Sequence, residues 1–180
     1  MSASQTARDR IAFLRRLRTV REFRPDPLPQ EVIDDILEVA RWTGSASNKQ
    51  PWELVVVRDR ETLRRLASLD GSVRHLADAP LGIVLVMAGE RAETETYDEG
   101  RLTERIMLAA AAHGVGVGIG WFRGEGREAA REILGIPAGR TVRTELSLGY
   151  PDEEARRARE KRPQPRKPLS EIVYHERYGA

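Results

Sequence analysis

Residues 81–88 read Leu-Gly-Ile-Val-Leu-Val-Met-Ala, eight positions without a polar side chain, and they constrain the fold more than any other stretch. The run is too short for a helix of typical length and rich in Val and Ile, so it predicts a strand buried on both faces. Residues 54–57, Leu-Val-Val-Val, form a second such run. Helical spacing of Val32, Ile33, Ile36, Leu37 and Ala40 predicts a helix over 29–42, with Pro29 and Glu31 at the end where the helix dipole favours them. Asp59 caps a helix over 60–69, which Asp70-Gly71 stops. A short helix over 128–134 closes at Gly135-Ile136-Pro137, and 141–149 is a further strand. With 180 residues, 40% hydrophobic, the chain supports one substantial core and not two ordinary domains.

Between the first of these helices and the first strand lies a polar turn. Gly44, Ser45, Ser47, Asn48 and Gln50 offer hydroxyls, amides and backbone N–H groups, Pro51 stops the helix, and Trp52 is an apolar anchor. By composition this is either a helix C-terminus with its punctuation or a loop that chemistry uses.

Other stretches carry similar alternatives. Residues 8–18 form a helix with a stripe of Ile11, Phe13, Leu14 and Leu17 among arginines. Residues 18–23, Arg-Thr-Val-Arg-Glu-Phe, are extended and run into Pro25, Pro27 and Pro29; their guanidinium forks suit a phosphate or are simply solvated. Residues 91–100 read as an acidic surface loop before Gly100. The helix over 102–113 is apolar on more than one face, so either a second subunit or the core of a monomer covers it. Residues 114–122, Gly-Val-Gly-Val-Gly-Ile-Gly-Trp-Phe, are either a plain glycine-rich strand or a backbone left bare to approach a flat ring. They follow a helix, so the dinucleotide fingerprint, which follows a strand, does not apply. His75 is a structural or surface histidine without a Ser, Asp or Cys partner suggested by spacing. Residues 152–162 are charged and solvated; beyond them Pro163, Pro165 and Pro168 make an extended arm with Arg162, Arg166 and Lys167, and Leu169, Ile172 and Val173 form an apolar face that docks.

Several function classes recede. The 30 Lys plus Arg are balanced by 28 Asp plus Glu, a salt-bridge-rich surface and not a nucleic-acid platform. Without cysteine there is no disulfide framework or thiolate nucleophile, and His75, His113 and His175 are scattered, leaving no metal cluster or credible triad. No apolar run approaches the ~20 residues that span a bilayer, and no signal-peptide core opens the chain, so a cytoplasmic protein without membrane contact is expected.

Ser45, Asn48, Gln50, Pro51 and Trp52 fit Ser-x-x-Asn-x-Gln-Pro-Trp without a gap; Arg18-Thr19-Val20-Arg21, the Gly114–Gly116 run and Leu148-Gly149-Tyr150-Pro151 follow the same family's order. The chain resembles the nitroreductase family of FMN-dependent oxidoreductases. That resemblance implies an α+β, nitroreductase-like fold: a central, mostly antiparallel sheet of about four or five strands flanked by helices, in an intertwined homodimer with FMN at the interface. It implies one domain over 1–180, with 152–180 as an arm docking on the partner subunit. FMN would be held by Arg18, Thr19, Val20 and Arg21, the last near flavin N1 and O2. Ser45, Ala46, Ser47, Asn48 and Gln50 would approach from the partner, the backbone of Gly118, Ile119 and Gly120 would face N5, and Arg166 and Lys167 would complete the phosphate site. Leu17 replaces the family's first arginine; Arg18 or a basic residue from elsewhere completes the site, or FMN binds less tightly. The implied reaction is ping-pong hydride transfer from NADH or NADPH through flavin N5 to a small oxidised acceptor, nitroaromatic, quinone or similar, without a catalytic residue acting as base. Alternatives are a specialised flavin reaction (dehalogenation, dehydrogenation, flavin breakdown) or flavin or nucleotide binding without turnover.

Overall fold

The structure, a computed structural model, describes residues 3–159 and 165–179. In chain order the elements are α1 (Ala3–Arg16), α2 (Gln30–Arg41), β1 (Trp52–Val57), α3 (Arg60–Ala67), β2 (Leu81–Met87), α4 (Ala92–Ala112), β3 (Gly116–Trp121), α5 (Glu125–Leu134), β4 (Thr141–Gly149) and α6 (Glu153–Arg159). The strands form one sheet in the order β1-β2-β4-β3, every pair antiparallel.

The apolar run is why the sheet is covered twice. All seven residues of β2 are buried, and successive side chains turn to opposite faces. Ile83 and Leu85 join Ile33 and Ile36 of α2 and Leu102 and Ile106 of α4 in one core. Val84 and Val86 join Leu63 and Leu66 of α3, Phe122, and Ala130 of α5 in the other. Each such side chain contributes about 1.5–3 kcal/mol by leaving water. Opposite Val84 and Val86, which pair with Glu145 and Val142, β4 carries one extra residue. That bulge lets Val142 join the α3 and α5 core although Leu146 and Leu148 join the other.

Three helices begin earlier than their sequence suggests: α1 opens at Ala3 and not at Arg8, α5 at Glu125 and not at Glu128, and α4 departs most. Residues 91–100 are not a surface loop but the start of α4, and Glu95, Asp98 and Glu99 are buried. The Glu95 carboxylate accepts hydrogen bonds from the backbone N–H groups of Gly89, Glu90 and Arg91 at 2.8, 2.9 and 2.8 Å, closing the turn ahead of the helix. Asp98 lies 3.6 Å from Arg101, and Glu99 pairs with Arg143 of β4. Local partners for Glu95 and Asp98 and one distant partner, Arg143, for Glu99 bury these three acids on one face of a helix whose other residues here stay exposed.

Two apolar surfaces stay uncovered. Phe13 of α1 and Leu17 just beyond it are half-buried, but Ile11 and Leu14 of α1 are 55% and 49% exposed. Residues 165–179 are exposed throughout, including Leu169, Ile172 and Val173, so the arm's apolar face does not dock on its own chain. Arg162 and Pro163, expected on the arm, lie outside the described residues. Among the described residues, no helix is long and apolar enough to cross a membrane.

Candidate functional site

The segment after α1 extends the sheet at its open β3 edge. Thr19 bridges Val117 in parallel, and the Val20 N–H donates to the Val117 carbonyl at 2.8 Å. Further along, the Ser72 N–H donates to the Trp121 carbonyl at 3.0 Å, and the Trp121 N–H donates to Ser72 Oγ at 3.1 Å. Between these clamps, strand alternation turns the Ile119 N–H and C=O outward as well.

The neighbouring glycines are explained by the chain itself. A Cβ on Gly116 would stand 2.7–2.9 Å from the Val20 side chain; one on Gly118 would be 2.7 Å from the Val20 carbonyl and 3.0 Å from His75 Nδ1. A Cβ on Gly120 would be 2.7 Å from the Ser72 carbonyl and would overlap the Glu145 carboxyl. The bare strand therefore makes room for Val20, His75 and Glu145, and of Gly118, Ile119 and Gly120 only Ile119 turns its backbone groups to the open edge.

At the start of this edge the two ends of the chain meet. A cavity of about 600 Å³ is lined by Arg15, Arg18, Thr19 and Arg166, with Leu14, Leu17, Met107 and Glu104. The Arg18 guanidinium donates to the carbonyls of Arg15 and Leu17 at 2.8 and 2.7 Å, folding across the end of α1. Arg15 was not singled out from sequence; its signal is the i, i+3 spacing from Arg18 that puts both at one helix end. Leu17 packs against the main core, the physical reason an arginine is absent there. Lys167 is exposed and does not line this cavity, and Val20 is buried, offering backbone alone. Arg21, two residues beyond Thr19, lines a second hollow of about 320 Å³ with Gly71, Ser72, Arg74, His75 and Asp78.

The polar turn is built differently. Ala46, Ser47 and Asn48 make a 3₁₀ turn, and Ser47, Asn48 and Gln50 hold φ of 53, 53 and 49°, left-handed values that each cost non-glycine residues on the order of 1 kcal/mol or more. Ser45 Oγ accepts from the Gln50 N–H at 2.8 Å, and Gln50 Nε2 donates to the Asn48 carbonyl at 3.1 Å, holding the strained backbone in place. The turn lines a separate cavity of about 370 Å³ with Lys49, Trp52, Thr94, Glu95 and Arg140. It leads into β1, at the sheet edge opposite β3. Three strand spacings separate those edges by about 14 Å, so one chain does not bring Ser45–Gln50 to Arg18 and Arg21.

Behind the glycines lies a polar cluster that sequence reasoning missed. His75 is buried, which settles its structural over its surface reading, and its Nδ1 is 2.7 Å from Ser147 Oγ. Ser147 Oγ donates to Glu145 Oε2 at 3.0 Å, and His75 Nε2 lies 3.6 Å from Glu145 Oε1. Burial pushes the Glu145 carboxyl well above the usual carboxylate range, against the lowering effects of the Ser147 hydrogen bond and the Arg21 charge. The legible signal was Glu145-x-Ser147: two polar side chains on one face of a strand, alternating with Leu146 and Leu148 on the other.

Comparison with known proteins places the chain among relatives of one family and one fold. The model of the nitroreductase family matches residues 14–72. The chain is 38% identical over 144 residues to a protein of Archaeoglobus fulgidus whose name pairs NADH dehydrogenase with NAD(P)H nitroreductase, covering 76% of this chain and 82% of that one. It is 31% identical over 199 aligned positions to the NADH dehydrogenase of Thermus thermophilus, covering 91% and 94% of the two. The solved FMN-dependent nitroreductase of Clostridium difficile R20291 superposes with a TM-score of 0.81 at 27% identity, over 93% of this chain and 99% of that one.

Proposed function

The chain belongs to the nitroreductase family, and from that premise we propose that it is an FMN-dependent oxidoreductase that takes hydride from NADH or NADPH and reduces a small oxidised acceptor such as a nitroaromatic or quinone in a ping-pong cycle. The observation that carries this reading is the cavity in which Arg15, Arg18 and Arg166, from opposite ends of the sequence, converge with Thr19. Three guanidiniums and a hydroxyl around one cavity suit a phosphate, because each donates charge-assisted hydrogen bonds; Glu104 on the same wall is the opposing charge. The donor set therefore fits FMN, with Arg15 doing what the position of Leu17 does not.

When bound, the flavin would supply hydride acceptance at N5 and the onward transfer of electrons. The chain's residues have the remaining roles. Arg15, Arg18, Thr19 and Arg166 would hold the phosphate, with Lys167 as an outer cation. Val20 anchors the segment to β3. Ile119 offers an N–H and C=O at the open edge, flanked by Gly118 and Gly120. Arg21 supplies fixed positive charge where negative charge develops. Ser45, Ala46, Ser47, Asn48 and Gln50 would come from a second copy, since the two halves of the site lie on opposite sheet edges. The exposed Ile11, Leu14, Leu169, Ile172 and Val173 support that homodimer, in which residues 1–180 form one domain and 152–180 an arm around the partner.

Titration of cofactor-free protein with FMN, followed by NADH and NADPH oxidation with and without nitroaromatic and quinone acceptors, tests the reading. Saturable FMN binding and acceptor-dependent turnover are expected; a protein that binds no flavin, or binds it and never oxidises either nucleotide, would sink it.

A further inference from the structure

Glu145 has a setting that the reaction above does not use. It is fully buried on β4, opposite Gly120, and Ser147 is fully buried opposite Gly118. Both face His75 from the 3₁₀ turn Arg74–Ala77, and the Arg21 charge acts on Glu145 from the edge segment. No ion pair to Arg, within 4 Å, is present at Glu145 among the described residues. A buried carboxylate without such a partner costs several kcal/mol, so the pair retains a proton. That proton leaves the pair without net charge whether it sits on Glu145 beside a neutral imidazole or on His75 beside a carboxylate.

We propose that Glu145, Ser147 and His75 form a proton-sharing positioning network that keeps Arg21 unneutralised, so that its charge is available to an electron-rich group at the open edge of β3. Loss of the proton would leave a carboxylate for Arg21 to compensate internally, and the hollow would lose its attraction for ligand. The raised titration of Glu145 gives the sign: binding at the hollow is full below that titration and falls as pH rises through it. The other charges facing the network are Arg74 and Asp78, which line the hollow. Opposite on β2 stand Val84 and Gly82, and on α5 Arg127 is engaged with the Phe122 carbonyl and Arg131 with Glu128.

The assignment of flavin as ligand rests on the function proposed above, so the test has a cofactor-free arm. In unliganded protein, the ¹⁵N-imidazole resonances of His75, identified by His75→Gln, should titrate with Glu145. Glu145→Gln, which keeps a hydrogen-bonding group of the same shape, should abolish that step, and Arg21→Gln should raise its midpoint, because the cation favours the deprotonated form. An unmoved midpoint in Arg21→Gln, or an unaltered His75 profile in Glu145→Gln, overturns the network. In the second arm, riboflavin, which lacks the phosphate, is titrated across the same pH range. Wild type should lose on the order of tenfold in affinity above the midpoint, and Glu145→Gln should not. Parallel losses in both proteins overturn the coupling to ligand. Absence of riboflavin and FMN binding at every pH, with the NMR coupling intact, overturns the flavin reading and leaves the network standing.

Discussion

The two edges of the sheet are built by opposite means. At the β3 edge the backbone is relaxed strand, stripped of side chains at Gly116, Gly118 and Gly120 so that Val20, His75 and Glu145 can press against it. At the β1 edge the Ser45–Gln50 turn keeps its side chains exposed and stores strain in three left-handed residues. One edge gains precision from packing, and packing punishes any added atom. The other gains it from a few hydrogen bonds, so it tolerates substitution in the fold while remaining sensitive in function.

Gly120→Ala should produce the largest effect. The new methyl would overlap the Glu145 carboxyl and press the Ser72 carbonyl, an overpacking with backbone on one side that costs about 3 kcal/mol. A denaturant melt checks it; unchanged stability would show that the glycines are not there to clear space. Glu95→Ala, beside the opposite edge, should cost about 2 kcal/mol by removing a charged acceptor from three N–H groups. Burial raises the Glu95 carboxyl, but the hydrogen bonds from Arg91, Gly89 and Glu90 outweigh it and hold it below its ordinary value. Its stabilisation is therefore present above the ordinary carboxylate range and lost as pH falls through the lowered value, so the gap between wild type and Glu95→Ala should close in acid melts.

Arg15→Ala should leave the melt nearly unchanged and weaken FMN roughly tenfold, the loss of one charge-assisted interaction worth about 1.5 kcal/mol. Riboflavin binding, lacking the phosphate, should not respond; an equal loss for both ligands would move Arg15 away from the phosphate. The smallest change is Ser47→Gly, which relieves a left-handed residue and should stabilise the fold by about 0.5–1 kcal/mol. The same variant should bind FMN more weakly, because the turn is no longer held in one shape. If both quantities stay fixed, the strain at this edge has no bearing on binding.

Local chemistry made much of this legible. The doubly buried strand β2, the Asp59 cap and the closure of α5 at Gly135 follow from hydrophobic pattern and turn chemistry, which act between near neighbours. The second apolar run, expected to be buried alike, is instead the edge strand β1, with Leu54, Val55 and Val56 only half-buried, because no strand among the described residues pairs with its outer side. The arginines of residues 15–21 were visible as cations, but the gathering of Arg15 and Arg18 with Arg166 required the chain to fold back on itself. Residues 91–100 misled because an acidic stretch reads as solvated until Arg101 and Arg143 are known to cover it. The structural reading of His75 held, but its partner was not legible because it lies 72 positions away, on a strand with no local link to it.

By itself, then, the sequence determined the strands, the helix boundaries set by caps and glycines, and the residue types able to meet a phosphate, since each depends on spacing along the chain. Tertiary structure alone decided that the glycines make room for the protein's own side chains, that Leu17 packs against the core while Arg15 lines the cavity beside it, and that a histidine, a serine and a glutamate meet in one buried cluster. Those outcomes depend on which surfaces are brought together and on the exclusion of water between them, and neither is a property of any local stretch.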